Sequence, residues 1–280
     1  MNEILVDPVR QTLRAFTTPR RQAASSEDVL ALADANRHTI DFQGQQLVLW
    51  SWGERDAEAI LLLHGWESRA SHMTAFVLTL LQAGFRVLAL DAPAHGDSGG
   101  QRTNVVDYGK AVVALASTQN LAGKFSAVIA HSLGSAAALY AFAHGVQVKA
   151  SVHLCGPSSL SRVLRRGARL AWMDAVHISR LEAQMEEEIH APLQIMDLEQ
   201  LQSGMQHRAL IMHDPLDREM PVEESLALAA AWPGSSITLL ADVGHRRILR
   251  TPAVIKSATE FVAHALNHPL TRTQPITGAA

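Results

Sequence analysis

A serine within a strand-turn-helix pattern is the first candidate for chemistry. Ser132 lies in the segment Ala130–Gly134, between an apolar run and a helix-like stretch rich in small residues. This is the setting of a nucleophile elbow, in which the residues two before and two after the serine must be small. Gly134 meets this requirement, whereas Ala130 adds one methyl group. The pattern predicts Ser132 as a nucleophile.

A serine hydroxyl needs a general base to take its proton and an acid to orient that base. In enzymes built on this elbow, the acid and then the base follow the serine along the chain. His245 comes after Gly244, just past the apolar run Ile237–Leu240. We therefore expect His245 to be the base.

Two aspartates near an earlier strand end compete for the role of the acid. Asp214 and Asp217 both follow the run Ala209–Met212. Asp214 could instead stabilise the turn before Pro215. We prefer Asp217, and keep Asp214 and Asp242 as structural alternatives.

Acyl transfer also requires N–H donors directed at the developing oxyanion. One expected donor is the backbone N–H of Leu133, directly after the nucleophile. The other is the N–H of Trp66, which follows the apolar run Ala59–Leu63 and the turn residues His64 and Gly65. The oxyanion hole is thus predicted to be built from backbone alone.

The elements that must position these residues alternate along the chain. Short apolar runs are typical of strands buried on both faces of a parallel sheet. The predicted strands are Leu47–Trp52, Ala59–Leu63, Phe85–Leu90, Phe125–Ala130, Val148–Leu154, Ala209–Met212 and Ile237–Leu240. The predicted helices are His72–Gln82, Val105–Leu121, Leu133–Ala143, Glu223–Ala231 and Ala253–Leu266. This alternation predicts a three-layer α/β fold with a mostly parallel sheet.

Two segments depart from the alternation. Residues 157–205 contain no convincing strand, and we interpret them as a helical cap over the strand ends. Its apolar side chains suggest a lining for a substrate site, although helix-spaced apolar residues are more often simply core: Trp172, Met173, Met185, Met196 and Met205. Residues 1–40 are interpreted as an N-terminal extension that packs on the core, and residues 41–156 and 206–268 as that core.

Five motifs in register make the chain similar to the α/β-hydrolase superfamily. They are His64-Gly65-Trp66, Asp91–Ser98, Ala130–Gly134, His213-Asp214-x-x-Asp217 and Gly244-His245. The resemblance covers residues from about Leu47 to Leu266. It implies the α/β-hydrolase fold, with eight strands and one antiparallel strand near the start of the sheet. It also implies a triad of Ser132, Asp217 and His245, and favours Asp217 as the acid.

The expected activity is hydrolysis of small or medium carboxylic esters through an acyl-enzyme. The same triad would serve a thioesterase or a carbon–carbon bond hydrolase, and these alternatives stay open. A serine at the elbow argues against the dehalogenases and epoxide hydrolases that this layout resembles, because they use aspartate there. A non-catalytic binding module on this fold would require a broken triad, whereas all three positions are filled.

Composition limits the binding partners and the cellular location that can be expected for the protein. The net charge of −3 gives no basis for nucleic-acid binding. No apolar stretch approaches the ~20 residues that span a bilayer, and Glu3, Asp7 and Arg10 interrupt any signal peptide. The single cysteine, Cys155, suits a reducing compartment. We expect a cytoplasmic enzyme for a small-molecule ester, with no cofactor, metal or membrane partner and with a homodimer left open.

Overall fold

The apolar runs lie in one eight-stranded sheet. The computed structural model describes residues 7–21, 23–118 and 125–267. The strands are β1 Asn36–Phe42, β2 Gln45–Trp52, β3 Ala59–Leu63, β4 Arg86–Leu90, β5 Phe125–His131, β6 Ala150–Leu154, β7 Arg208–His213 and β8 Ser235–Leu239. Their spatial order is β1-β2-β4-β3-β5-β6-β7-β8. Only β2 runs antiparallel to its neighbours, which confirms the predicted mostly parallel sheet with one antiparallel strand near its start.

Helices cover both faces of this sheet. They are α1 Pro8–Thr17, α2 Ser26–Ala31, α3 Val77–Gln82, α4 Val105–Ser117, α5 Leu133–Ala143, α6 Leu160–Leu170, α7 Ala175–Ile189, α8 Leu198–Leu201, α9 Val222–Ala231 and α10 Pro252–Asn267. The predicted helix over His72–Gln82 begins instead as a 3₁₀ helix, Ala70–Phe76, and continues as α3. Residues 119–121 of another predicted helix, and residue 268 at the predicted end of the core, lie outside the described residues.

Strand β3 shows how the core divides into two layers. All five of its side chains are buried. Leu61 and Leu63 join the apolar cluster that contains residues of α4 and α5, whereas Ile60 and Leu62 join the cluster that contains residues of α10. Successive side chains of a strand point to opposite faces, so a continuous apolar run is the sequence required for a strand buried on both sides.

The predicted boundary at residue 40 is wrong because it cuts through a strand. β1 begins at Asn36 and pairs with β2 through Phe42. It is an edge strand, in which only Ile40 and Phe42 are buried. The other residues of β1 are all polar and are exposed or half-buried, so β1 lacks the apolar run that revealed the other strands.

Residues 157–205, here called the cap, are all described and contain no strand. They hold α6, α7, α8 and two 3₁₀ helices, Leu193–Met196 and Gln202–Gly204. Helix α1 packs against α6 and α7 of the cap, and its Val9 is fully buried in the core cluster. Within the described ranges, no helix is long and apolar enough to cross a membrane.

Candidate active site

Ser132 lies at a sharp turn between β5 and α5. Its backbone is held at φ 50° and ψ −118°, a conformation that costs a non-glycine residue about 1–3 kcal/mol. The Ser132 N–H donates to the carbonyl of Leu154 at 2.9 Å, which ties the turn to β6. A Cβ on Gly134 would lie 2.5 Å from the carbonyl oxygen of Leu63. The glycine is therefore required by the close approach of α5 to β3, whereas Ala130 is accommodated in the fully buried end of β5.

The structure brings Ser132, His245 and Asp217 together in one hydrogen-bonded chain. The Ser132 hydroxyl lies 3.0 Å from His245 Nε2, and His245 Nδ1 lies 2.7 Å from Asp217 Oδ2. These distances fit a hydroxyl that donates to the imidazole and an imidazole N–H that donates to the carboxylate. The arrangement allows His245 to accept the serine proton while Asp217 fixes the orientation of the ring.

The carboxylate of Asp217 is fully buried and has three donors. Besides His245, the N–H groups of Glu219 and Met220 donate to Asp217 Oδ1 at 2.8 and 3.0 Å. Burial raises the pKa of this carboxyl, but the hydrogen bonds from His245 and the Met220 N–H outweigh burial and lower the pKa to about 2. Asp217 therefore stays ionised at neutral pH.

Asp214, the other candidate for the acid, binds backbone N–H groups through its carboxylate instead of the His245 ring. Its Oδ1 accepts from the Leu216 N–H at 2.8 Å, and its Oδ2 accepts from the Gly244 N–H at 2.5 Å. Asp214 thus joins the loop after β7 to the loop that carries His245. The third alternative, Asp242, is exposed and has a positive φ of 62°.

The two expected oxyanion donors flank the nucleophile. Leu133 is the first residue of α5, where the N–H has no partner within the helix. Trp66 follows Gly65, at which a Cβ would lie only 3.0 Å from the Cβ of Ser132. Both residues line the same cavity as Ser132, and their role as oxyanion donors stays a prediction.

Two buried histidines support the loop that carries Trp66. His64 accepts from the Ala92 N–H through Nε2 at 3.0 Å, and its Nδ1 lies 2.7 Å from the Gly65 carbonyl. His95 accepts from the Glu67 N–H through Nε2 at 3.1 Å. Burial lowers the pKa of both rings, which favours the neutral form needed to accept these hydrogen bonds. The loops after β3 and β4 are therefore held together by neutral imidazoles.

A sequence model of the Alpha/beta hydrolase family matches residues 60–258, more than half of the chain. The chain belongs to this family. No curated protein matches it. Solved structures similar to this α/β hydrolase include an esterase, Pf2001, from Pyrococcus furiosus, with 21% identity, a TM-score of 0.64, and coverage of 89% of this chain and 98% of that one.

Two further structures share the fold. Est1E from Butyrivibrio proteoclasticus, with bound ferulic acid, is 16% identical with a TM-score of 0.63, and the match covers 82% of this chain and 100% of that one. A putative lipase from Acinetobacter baumannii is 15% identical with a TM-score of 0.64, and covers 88% of this chain and 98% of that one. At these identities the similarity is one of fold.

His131 contributes to this α/β-hydrolase site in a way that the sequence did not indicate. Its Nε2 lies 2.8 Å from the carbonyl oxygen of His245, so this nitrogen carries the proton and donates. Burial, together with the neighbouring His245, lowers the pKa of His131 to about 3. The neutral ring therefore supports the loop that carries the base. Its position directly before Ser132 was the only available signal.

Cys155 also lies beside the acid and the base. Among the described residues, Cys155, Asp217 and His245 are of types that can bind a metal ion, and their potential ligand atoms lie within 4.8 Å of one another. Asp217 and His245 are already hydrogen-bonded to each other in the chain that leads to Ser132. Burial raises the pKa of the Cys155 thiol, and the nearby Asp217 raises it further. The thiol is therefore protonated and poorly suited as a nucleophile.

A cavity of about 640 Å³ opens above Ser132. Most of its wall is apolar, and comes from α5, from the cap and from α1. Met185 and Met196 line it, as the sequence suggested. Trp172 does not, because it lies 95% exposed at the turn after α6. The remaining two candidates, Met173 and Met205, are buried in the core cluster rather than in the cavity wall.

Proposed function

We propose that this α/β hydrolase is a serine hydrolase that cleaves small or medium carboxylic esters through an acyl-enzyme. The observation that carries the proposal is the hydrogen-bonded chain from Ser132 through His245 to Asp217 at the floor of an apolar cavity. A nucleophile, its base and an ionised acid are the groups that acyl transfer requires.

The proposed reaction has two halves. His245 Nε2 takes the proton of Ser132 as Oγ attacks the ester carbonyl, and the resulting oxyanion accepts hydrogen bonds from the N–H groups of Trp66 and Leu133. The carbon–oxygen bond to the alcohol then breaks, and His245 gives its proton to the departing alkoxide. Water repeats the sequence on the acyl-enzyme, which releases the acid and returns the proton to Ser132 Oγ.

The apolar cavity wall supports an uncharged ester over a polar substrate. An apolar pocket with few converging polar groups binds by removing hydrocarbon surface from water, at about 25 cal/mol for each Å² buried. The Asp217 carboxylate is shielded from the cavity, because its side chain is fully buried behind His245. Among the described residues that line the cavity, Ser132 is the one whose hydroxyl is hydrogen-bonded to an imidazole.

The experiment is hydrolysis of p-nitrophenyl esters from acetate to decanoate by the wild type, Ser132→Ala and Asp217→Asn. We expect kcat to fall about 10⁴-fold or more in both variants, because residues that act as a unit lose most of the rate together. Labelling with diethyl p-nitrophenyl phosphate, followed by mass spectrometry, should place the adduct on Ser132. Equal rates in the wild type and a folded Ser132→Ala would overturn the proposal.

A further inference from the structure

The N-terminal wall, which we define as residues 7–21, forms one side of the cavity above Ser132. The cavity-lining residues of the wall are Gln11, Arg14, Ala15, Phe16, Thr18 and Arg20. The substrate space is therefore bounded by a segment that precedes the whole sheet in sequence.

Apolar side chains face the wall across the cavity. Leu139 of α5 and Met185 of α7 line it together with Leu201 of α8. Ala15 and Phe16 are the apolar residues that the N-terminal wall contributes. A hydrocarbon chain that leaves Ser132 in this direction would lie between these two surfaces, so the size of the side chains at positions 15 and 16 limits the space available.

The N-terminal wall is anchored along its length. Asp7 pairs with Arg180 of α7, and the carbonyl of Thr17 accepts from the Thr103 N–H at 2.9 Å. Arg20 binds both carboxylate oxygens of Glu67 through its guanidinium, at 2.8–3.1 Å. These contacts reach the cap, the loop before α4 and the loop of Trp66. The N-terminal wall is therefore fixed in position relative to the cap and to the loop of Trp66.

Phe16 has a fixed place in this wall. A Cβ on Gly167 of α6 would lie 2.9 Å from Phe16 Cε2 and 3.1 Å from Cζ. The missing side chain of Gly167 therefore provides the space into which the ring packs. The ring is also partly buried against the core cluster, so it forms a firm boundary that a substrate chain would meet.

We propose that the N-terminal wall sets the chain length of the substrate, and that Ala15 and Phe16 are its specificity-determining residues. This inference rests on the proposed ester hydrolysis and specifies its substrate class: esters with a hydrocarbon chain that lies between α1 and the cap. Removing the Phe16 ring enlarges this space, and adding a ring at position 15 reduces it.

The test measures kcat/KM for p-nitrophenyl butyrate and decanoate in Phe16→Ala, Ala15→Phe and the matched control Arg10→Ala. Arg10 is exposed on the same helix and does not line the cavity. We expect the ratio of decanoate to butyrate to rise at least fivefold in Phe16→Ala, to fall at least fivefold in Ala15→Phe and to stay unchanged in Arg10→Ala. A general folding defect would lower both rates together and could not move the ratio in opposite directions.

An alkyl acetate series, from ethyl to decyl, separates the two possible positions of the chain. If the hydrocarbon belongs to the alcohol, the ratio of long-chain to short-chain kcat/KM in this series rises in Phe16→Ala and falls in Ala15→Phe. The ratio in the p-nitrophenyl series then stays unchanged. Unchanged ratios in both series, with folded variants, would overturn the inference.

Binding separates this inference from the proposed function. Titration of decanoate into Ser132→Ala, with and without Phe16→Ala or Ala15→Phe, followed by calorimetry, requires no turnover. If the wild type hydrolyses no ester, the proposed function fails, and a change in decanoate affinity of fivefold or more in the double variants still supports the wall. Affinities that agree among all three proteins, for decanoate and for 1-decanol titrated in the same way, would overturn it.

Discussion

At the scale of single residues, Asp217 is a buried carboxylate held as an anion by its donors. Its Oδ1 is occupied by two backbone N–H groups and its Oδ2 by His245. Without these donors, burial would favour the protonated acid. The turn after β7 therefore fixes both the position and the charge of the group that orients the base.

This charge should appear in the pH dependence of stability. The pKa of Asp217 is about 2 in the folded chain, below its ordinary value of about 3.9 in an unfolded chain. Its contribution to the free energy of unfolding is therefore complete above about pH 5 and is lost as the pH falls towards 2. Between pH 6 and 3, we expect the wild type to lose about 1 kcal/mol more than Asp217→Asn, measured by urea unfolding.

Asp34→Asn provides the control for this measurement, because Asp34 is exposed. Its loss of stability between pH 6 and 3 should follow that of the wild type. If Asp217→Asn also follows the wild type, the carboxyl is not held as an anion by the fold.

The order of Ser132, Asp217 and His245 could be predicted from sequence, because each residue lies in the turn or loop that follows a recognisable strand. The support from His131 could not, since it depends on a side chain of one loop meeting the backbone of another 114 residues away. The gathering of Cys155 beside Asp217 also depends on the order of β5, β6 and β7 in space. Sequence spacing indicates which residues end a strand, but not which side chains then touch.

At the scale of elements, Arg20 and Glu67 connect the N-terminal wall to the loop of Trp66. Glu67 has a positive φ of 50°, and its carboxylate accepts from both the guanidinium and the N–H of Arg20. The hydrogen bond from Arg20 holds the pKa of Glu67 below its ordinary value. Because Arg20 is 85% exposed on its side chain, the pair contributes little to global stability, and its effect should be local.

We expect Arg20→Ala to lower kcat for p-nitrophenyl acetate about threefold to tenfold and to change the free energy of unfolding by less than about 1 kcal/mol. The reason is that Trp66 loses a support directly beside its backbone. High salt weakens exposed ion pairs, so at 1 M NaCl the wild-type kcat should fall towards that of the variant. Arg10→Ala should match the wild type at both salt concentrations. Equal kcat in Arg20→Ala and the wild type would contradict this support.

The sequence indicated most of the strands and helices. It did not indicate the strand β1 or the contribution of α1 to the cavity. β1 is an edge strand with two buried side chains, so its pattern resembles that of an exposed loop. Residues 1–40 were expected to pack on the core, but the role of α1 in the cavity depends on its packing against α6 and α7. An amphipathic helix shows in its sequence that one face is buried, and not which surface it covers.

At the scale of the whole molecule, a buried carboxylate joins the cap to the core. Glu224 of α9 is 5% exposed. It accepts from the N–H and the hydroxyl of Ser158, both at 2.8 Å, and from Arg162 Nε at 2.7 Å. Ser158 and Arg162 lie where the chain enters the cap after β6. Since Ser158 also lines the substrate cavity, the contact with Glu224 affects the active site as well as the attachment of the cap to the core.

Replacing this carboxylate should loosen the cap before it loosens the sheet. In Glu224→Ala, two buried donors of Ser158 lose their acceptor, which costs about 1–3 kcal/mol, and Arg162 loses its ion pair. We expect hydrogen exchange to accelerate about tenfold in residues 157–205, equivalent to about 1.4 kcal/mol, while β3 to β6 keep wild-type protection. Glu223→Ala is the matched control, since Glu223 is the exposed neighbour on the same helix. An equal acceleration in the cap and the sheet would mean that the two unfold as one unit and that Glu224 stabilises the molecule globally.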